Sequence, residues 1–176
     1  MSSDIETARR SVVAAGGDGV EAVEEFVGGL QAALDAFDAD AYNRQFAEDV
    51  LWGSPFGMIV RGYDEIHAIH TRMLAAAHDR GDAGSRYEIE DARRIADDVA
   101  IAYVRRRSLA EAKPPADSSD DADDADHTED AQPQPGRAAG FDELALFVLV
   151  RRDGAWWLAA GLHTPDRRDV YRAGTP

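Results

Sequence analysis

The sequence predicts an α+β fold with helices first and strands last. Three observations carry this. Apolar residues recur in steps of three and four over Val20–Phe37 and again over Ile66–Ala77. They alternate in twos over Tyr87–Glu90 and Val99–Leu109 and run almost unbroken over Leu144–Val150. Turn residues separate these stretches at Gly53–Gly57, Asp97–Asp98 and Arg152–Gly154. Period 3.6 marks helices with one buried face, and period 2 marks strands.

The first helix presents Val20, Val23, Val27, Leu30, Leu34 and Phe37, with Phe26 beside them. Gly28-Gly29 within it costs roughly 1 kcal/mol per glycine relative to alanine, so either packing tolerates the pair or another segment comes close. Asp38 or Asp40 can cap a second short helix carrying Tyr42 and Phe46, which ends at Glu48-Asp49. Val50–Trp52 and Met58–Val60 read as short strands joined by a turn. Asp64 and Glu65 open the third helix, whose stripe is Ile66, Ile69, Met73 and Ala77, with Leu74 at its edge and His70 inside it. Arg80–Gly84 ends that helix. Val99–Leu109 puts Tyr103, Arg105 and Arg107 on one side of a strand and Arg106 on the other. Leu144–Val150 reads as a central strand. Ala155–His163 places Trp156 and Leu162 on one face and Trp157 and His163 on the other, so a bulge is needed for Trp156 and His163 to look inward together.

Composition narrows the function classes. The 176 residues hold 34 Asp plus Glu against 19 Lys plus Arg, a net charge of −15. Phosphates would be repelled by such a surface, so neither a nucleic acid nor an anionic membrane is an expected partner. There is no cysteine, hence no disulfide framework and no thiolate nucleophile or metal ligand. No stretch has the length and apolarity of a secretory signal or a membrane span, and the cytoplasm is the expected location. Residues 110–140 contain nine acidic residues, four prolines and no large apolar side chain. This composition predicts a disordered acidic insertion within a hairpin. The expected organisation is therefore a flexible tail over 1–18, a single domain over 19–165 interrupted by that insertion, and a second tail over 166–176.

The phrases DADAYNRQFAEDVLW, GMIVRGYDEI and DGAWWLAAGLHTP, in this order and spacing, resemble the nuclear transport factor two-like superfamily, and more closely its SgcJ/EcaC and SnoaL-like group. Asp38, Ala41, Phe46, Glu48, Asp49, Gly62, Ile66 and Trp156 carry the resemblance over about residues 20–109 and 141–165. It implies a cone, in which a strongly bent mixed or antiparallel sheet wraps a long helix and leaves a pocket at the wide end. It further implies pairing as a homodimer. Members of the superfamily include isomerases, cyclases, dehydratases and non-enzymatic binding modules, so fold does not settle function. Where relatives carry a polar residue followed by Asn near the last strand's end, this chain has Leu162 and His163.

Within such a cone His70 is the first candidate. It is either a pocket base with a pKa lowered by burial or a core histidine bonded to backbone or water. His163 is the second candidate base, and Tyr103 is the candidate donor to a developing oxyanion. Tyr42, Trp52, Phe56, Met58, Arg106 and Trp156 are the expected ligand-binding residues around a small apolar or aromatic organic molecule. His67 and His70 have an i, i+3 spacing that could hold a metal, but no third ligand at a known spacing accompanies them, and no metal is expected. No phosphate-binding glycine loop is present and no cofactor is expected. The expected activity is small-molecule binding. The alternatives are acid–base catalysis by a pocket histidine and a homodimeric interaction module.

Overall fold

Alternation along the strands gives the sheet one face for the helices and one face turned away from them. A computed structural model describes residues 17–109 and 142–166. They form α1 (Asp18–Asp35), α2 (Ala39–Asn43), β1 (Phe46–Gly53), β2 (Ile59–Arg61), α3 (Tyr63–Arg80), β3 (Ser85–Ala96), β4 (Val99–Ser108), β5 (Glu143–Arg152) and β6 (Ala155–Pro165). The expected insertion at 110–140 lies outside the described residues. So do the expected tails, apart from Gly17, Asp18 and Asp166.

All six strands join one sheet in the order β2-β1-β6-β5-β4-β3. β1 and β6 run parallel and every other neighbouring pair is antiparallel, so the sheet is mixed. It curls around the helices: α1 packs on β3 and β4, α3 on β1 and β2, and α2 bridges α1 and α3. The result is the expected α+β cone.

α1 buries Val23, Phe26, Val27 and Leu30, each contributing about 1.5–3 kcal/mol relative to exposure. Phe26 meets Phe147 of β5 edge to face at 5.6 Å. At α2 the Ala41 N–H donates to the Asp38 side chain at 2.9 Å, the cap that Asp38 was expected to supply. The helix nevertheless stops at Asn43 rather than at Glu48-Asp49. The Leu158 N–H takes the Gln45 carbonyl at 2.7 Å and Phe46 pairs with Leu158, so strand pairing captures the chain where helix propensity would have continued. Glu48 and Asp49 are exposed strand residues.

α3 turns further than its sequence stripe suggests. Ile66, His70 and Leu74 are buried, while Met73 is 55% exposed. Gly81 ends the helix in the left-handed region (φ 65), which glycine enters without steric cost. On β4, Ala100, Ala102 and Val104 are fully buried and Arg106 follows on the same side, whereas Ile101 and Tyr103 look away from the helices.

β6 contains the irregularity that decides the site. Leu149 pairs with Leu158 but Val148 pairs with Ala160, leaving Ala159 as an extra residue. The bulge shifts the alternation by one, so Trp156 and Leu158 before it and Gly161 and His163 after it all face the core.

Candidate functional site

Two buried histidines are held in defined tautomers at the inner end of the cone. α2 supplies Asn43, which is fully buried, and α3 supplies His70, 5% exposed. The Asn43 side-chain NH2 donates to the Ala39 carbonyl at 2.7 Å, so its amide oxygen faces His70 Nδ1, also at 2.7 Å. An amide oxygen only accepts, hence His70 carries its proton on Nδ1 and leaves a lone pair on Nε2. Burial, and then the neighbouring His163, His67 and Arg106, lower its pKa to about 3. His70 is neutral at physiological pH.

The second histidine is held by a carboxylate. Register places Arg106 of β4 opposite Glu143 of β5. An Arg106 guanidinium N–H donates to Glu143 Oε1 at 2.5 Å, and Glu143 Oε2 lies 3.1 Å from His163 Nδ1. Burial pushes the Glu143 carboxyl up, but the hydrogen bond from His163 and the Arg106 charge outweigh it and hold the pKa below the ordinary value. Glu143 is thus ionised and His163 donates to it through Nδ1, which leaves Nε2 as the ring nitrogen without a role in that pair. That atom is buried with no hydrogen-bond partner, a state costing about 1–3 kcal/mol.

Aromatic rings surround both imidazoles. Trp52 lies 4.3 Å from the His163 ring and 5.1 Å from the His70 ring, centroid to centroid. Phe147 touches His163 and Phe46 touches His70. The Trp52 indole fits because position 161 has no side chain: a Cβ on Gly161 would stand 3.1 Å from Trp52 Cε3 and Cζ3. Tyr42 meets His70 at 4.8 Å, and its hydroxyl shares a 2.7 Å hydrogen bond with that of Tyr87. Tyr42 also lines a cavity of about 260 Å³ between α1 and α2, together with Phe26, Leu30, Ala33, Arg44 and Gln45. A second depression of about 280 Å³ lies on the outer face around Ile101 and Tyr103. Neither is lined by His70 or His163.

The structure thus brings together His70, His163, Tyr42, Trp52 and Arg106 from the sequence candidates, and separates the others from them. Tyr103, 46% exposed, stands on the outer face because strand parity puts it opposite Val104, so it cannot donate to a group beside His70. Phe56 and Met58, 66% and 52% exposed, sit at the turn between β1 and β2, where the Ser54 hydroxyl accepts their backbone N–H groups. Trp156 packs half-buried at the opposite end of β6, across from Arg151. His67 pairs with Asp40 at 2.8 Å on the surface. Among the described residues no group of three or more His, Asp or Glu is placed to hold a metal. Three site residues escaped the sequence reading. Asn43 and Glu143 lie at element ends, and Glu143, next to Asp142 at the start of the apolar run Leu144–Val150, has no local feature that marks it as buried. Tyr87 was visible as a strand residue, but its partner on α2 was not.

No family model and no curated protein sequence matches the chain. Solved structures do. An uncharacterised protein with a cystatin-like fold from Caulobacter vibrioides is 22% identical, with a TM-score of 0.66 over 90% of this chain and 96% of that one. An NTF-2 like protein of unknown function from Shewanella oneidensis MR-1 is 14% identical, with a TM-score of 0.52 over 82% of this chain and 98% of that one. A ketosteroid isomerase-like protein from Erwinia carotovora atroseptica is 14% identical, with a TM-score of 0.56 over 86% and 98%. With its helices packed against an open, curled mixed sheet, the chain has the fold of the nuclear transport factor two-like superfamily.

Proposed function

We propose that this chain is a small-molecule-binding domain of the SnoaL-like or SgcJ-like kind. It takes a small, mostly apolar organic molecule at the end of the cone where Trp52 meets His70 and His163. The observation that supports this is the His163 Nε2, aimed by Glu143, buried among aromatic rings and left without a hydrogen-bond partner. Buried polar atoms are nearly always paired, and a ligand or a water would complete this one. Trp52, Phe46, Phe147 and Tyr42 would form the apolar walls. Tyr42 lines the α1–α2 cavity and touches His70, so a ligand reaching the imidazoles from that cavity requires the Tyr42 ring to turn away from its hydrogen bond with Tyr87. The test is a ligand screen read on the side-chain nitrogens of 15N-histidine-labelled protein. Ligands should move the His163 and His70 signals first. Ligands that bind while leaving both unmoved would place the site elsewhere.

A second reading is proton-transfer catalysis of the isomerase, cyclase or dehydratase type, and the Glu143–His163 pair favours it. A carboxylate on Nδ1 fixes the tautomer and stabilises the imidazolium, so that Nε2 can take a proton. The Tyr42–Tyr87 hydroxyl pair replaces Tyr103 as the donor to a developing oxyanion. Exchange of α-protons of a bound ketone with solvent, unchanged in Glu143→Gln, would remove this role.

The outer face supports the homodimer. Leu51, Tyr103 and Leu162 are 44%, 46% and 53% exposed, beside half-buried Leu144, Leu146, Val148 and Trp157. Such a contiguous apolar surface is what a second copy would cover.

A further inference from the structure

We propose that the cavity between α1 and α2 is a binding site for a small monocarboxylate with an apolar body, seated over Gly29 and held by Arg44. This site is separate from the His163 and His70 rings and does not depend on the ligand reading given for them.

α1 carries Gly28-Gly29 in its interior, where glycine is disfavoured relative to alanine. Both glycines are exposed. A Cβ on Gly28 would meet nothing within 4 Å, and one on Gly29 would meet only the Gln45 side-chain oxygen at 3.8 Å. No other segment among the described residues therefore comes close enough to require the pair. What Gly29 does is leave open a cavity of about 260 Å³, whose floor includes the buried side chains of Phe26, Leu30 and Ala33. An apolar cavity of about 150 Å³ already holds benzene, and drug-sized ligands occupy about 300–1,000 Å³. The space therefore suits one ring, or a short chain, with a polar head.

The head group follows from which polar groups are already spent. Tyr42 shares its hydroxyl with Tyr87 and offers only its ring. The Asp38 carboxylate accepts the Ala41 N–H. The side chains of Arg44 and Gln45 have no partner among the described residues, whereas Arg105, Arg106 and Arg107 each hold a carboxylate. An uncommitted guanidinium beside an amide, at the rim of an apolar floor, matches a carboxylate, which it can hold through two N–H groups. The net charge of −15 opposes any anion, but salt screens distant charges beyond about 10 Å. Of the residues lining the cavity Asp38 alone is acidic.

Benzoate, benzyl alcohol and benzylamine share a ring and differ in charge. In 15N NMR titrations of the intact protein at neutral pH, benzoate should bind about tenfold tighter than benzyl alcohol, the margin of a hydrogen bond to a charged group. Benzylamine should bind most weakly. The Gly28 and Gly29 amide signals should move, and the His163 ring signals should not. Arg44→Gln should abolish the preference for benzoate over benzyl alcohol. Gly29→Leu should fill the cavity and abolish binding of both, with a melting temperature no lower than that of the wild type because leucine is the better helix former. Lost binding in that variant is then not lost folding. Benzyl alcohol equal to benzoate overturns the carboxylate assignment, and benzylamine tighter than benzoate overturns it in favour of Asp38. Benzoate that moves His163 but neither glycine amide overturns the location and supports the cone-end site instead. Undiminished binding by Gly29→Leu, or no binding of benzoate by the wild type, overturns the α1–α2 site and leaves the cone-end reading standing.

Discussion

His70→Gln tests whether the interior of the cone is as dry as the packing implies. Glutamine keeps a side-chain N–H for the Asn43 oxygen but does not titrate. The ring contacts with Tyr42, Trp52 and Phe46, at 4.8, 5.1 and 5.8 Å, are lost. At neutral pH the variant is therefore expected to be less stable by about 1–2 kcal/mol. Acid should reverse this order. His70 has an ordinary value of 6.5 and a native value of about 3, so between these limits the unfolded chain binds a proton that the native protein does not. Its folded pKa is depressed, hence the stability tied to neutral His70 is complete above the unfolded value and is lost as pH falls from it toward the folded one. The slope is about 1.4 kcal/mol per pH unit, so at about pH 4.5 the wild type has given up about 3 kcal/mol through this group alone. Every other carboxyl and imidazole is common to both proteins and cancels in the difference. Urea unfolding at neutral pH and at about pH 4.5 should show the variant overtaking the wild type by about 1–2 kcal/mol at the lower pH. A stability difference that does not change with pH would refute the reasoning, because it would mean that His70 takes up its proton in the native state as readily as in water.

Glu143→Gln removes the charge that holds both Arg106 and His163. Because the Arg106 side chain is 27% exposed its share is partly screened, and thermal and urea unfolding should show a loss of about 2–3 kcal/mol. Glu143 has a depressed folded pKa, so its contribution is present above the ordinary carboxyl value and fades as pH falls below it; the variant should lack that fade. Gly161→Ala drives a methyl group to 3.1 Å from the Trp52 ring and should cost about 1–3 kcal/mol by overpacking. It should also change tryptophan fluorescence, because Trp52 must shift against His163. Leu162→Glu puts a charge in the centre of the proposed pairing face and should convert the proposed dimer to a monomer in sedimentation velocity without altering the circular dichroism spectrum. An unchanged mass would remove that face as the pairing surface.

The helices, the hairpins and their order were legible because each is written in local periodicity: Val23, Phe26, Val27 and Leu30 lie three and four apart, and Ala100, Ala102 and Val104 lie two apart. Tyr42, Trp52, His70 and His163 could be singled out for the same reason, as polar or aromatic residues set into apolar stripes. What could not be read was where those stripes meet. The end of α2 depended on β6 claiming the Gln45 carbonyl, a contact more than a hundred residues away in the chain. Tyr103 looked as suitable as any aromatic residue until strand parity set it on the outer face. His163 and Trp156 could face inward together only through the extra residue at Ala159, and a bulge has no local signature in a run as small and apolar as Ala159-Ala160-Gly161. The Arg106–Glu143–His163 chain joins three strands, two of them separated in sequence by the acidic stretch. Sequence alone therefore determined which segments have a buried face and which residues could do chemistry. Tertiary structure decided which of them face one another, because hydrogen-bond register and bulges are set by pairing between distant segments and not by the residues of either segment taken singly.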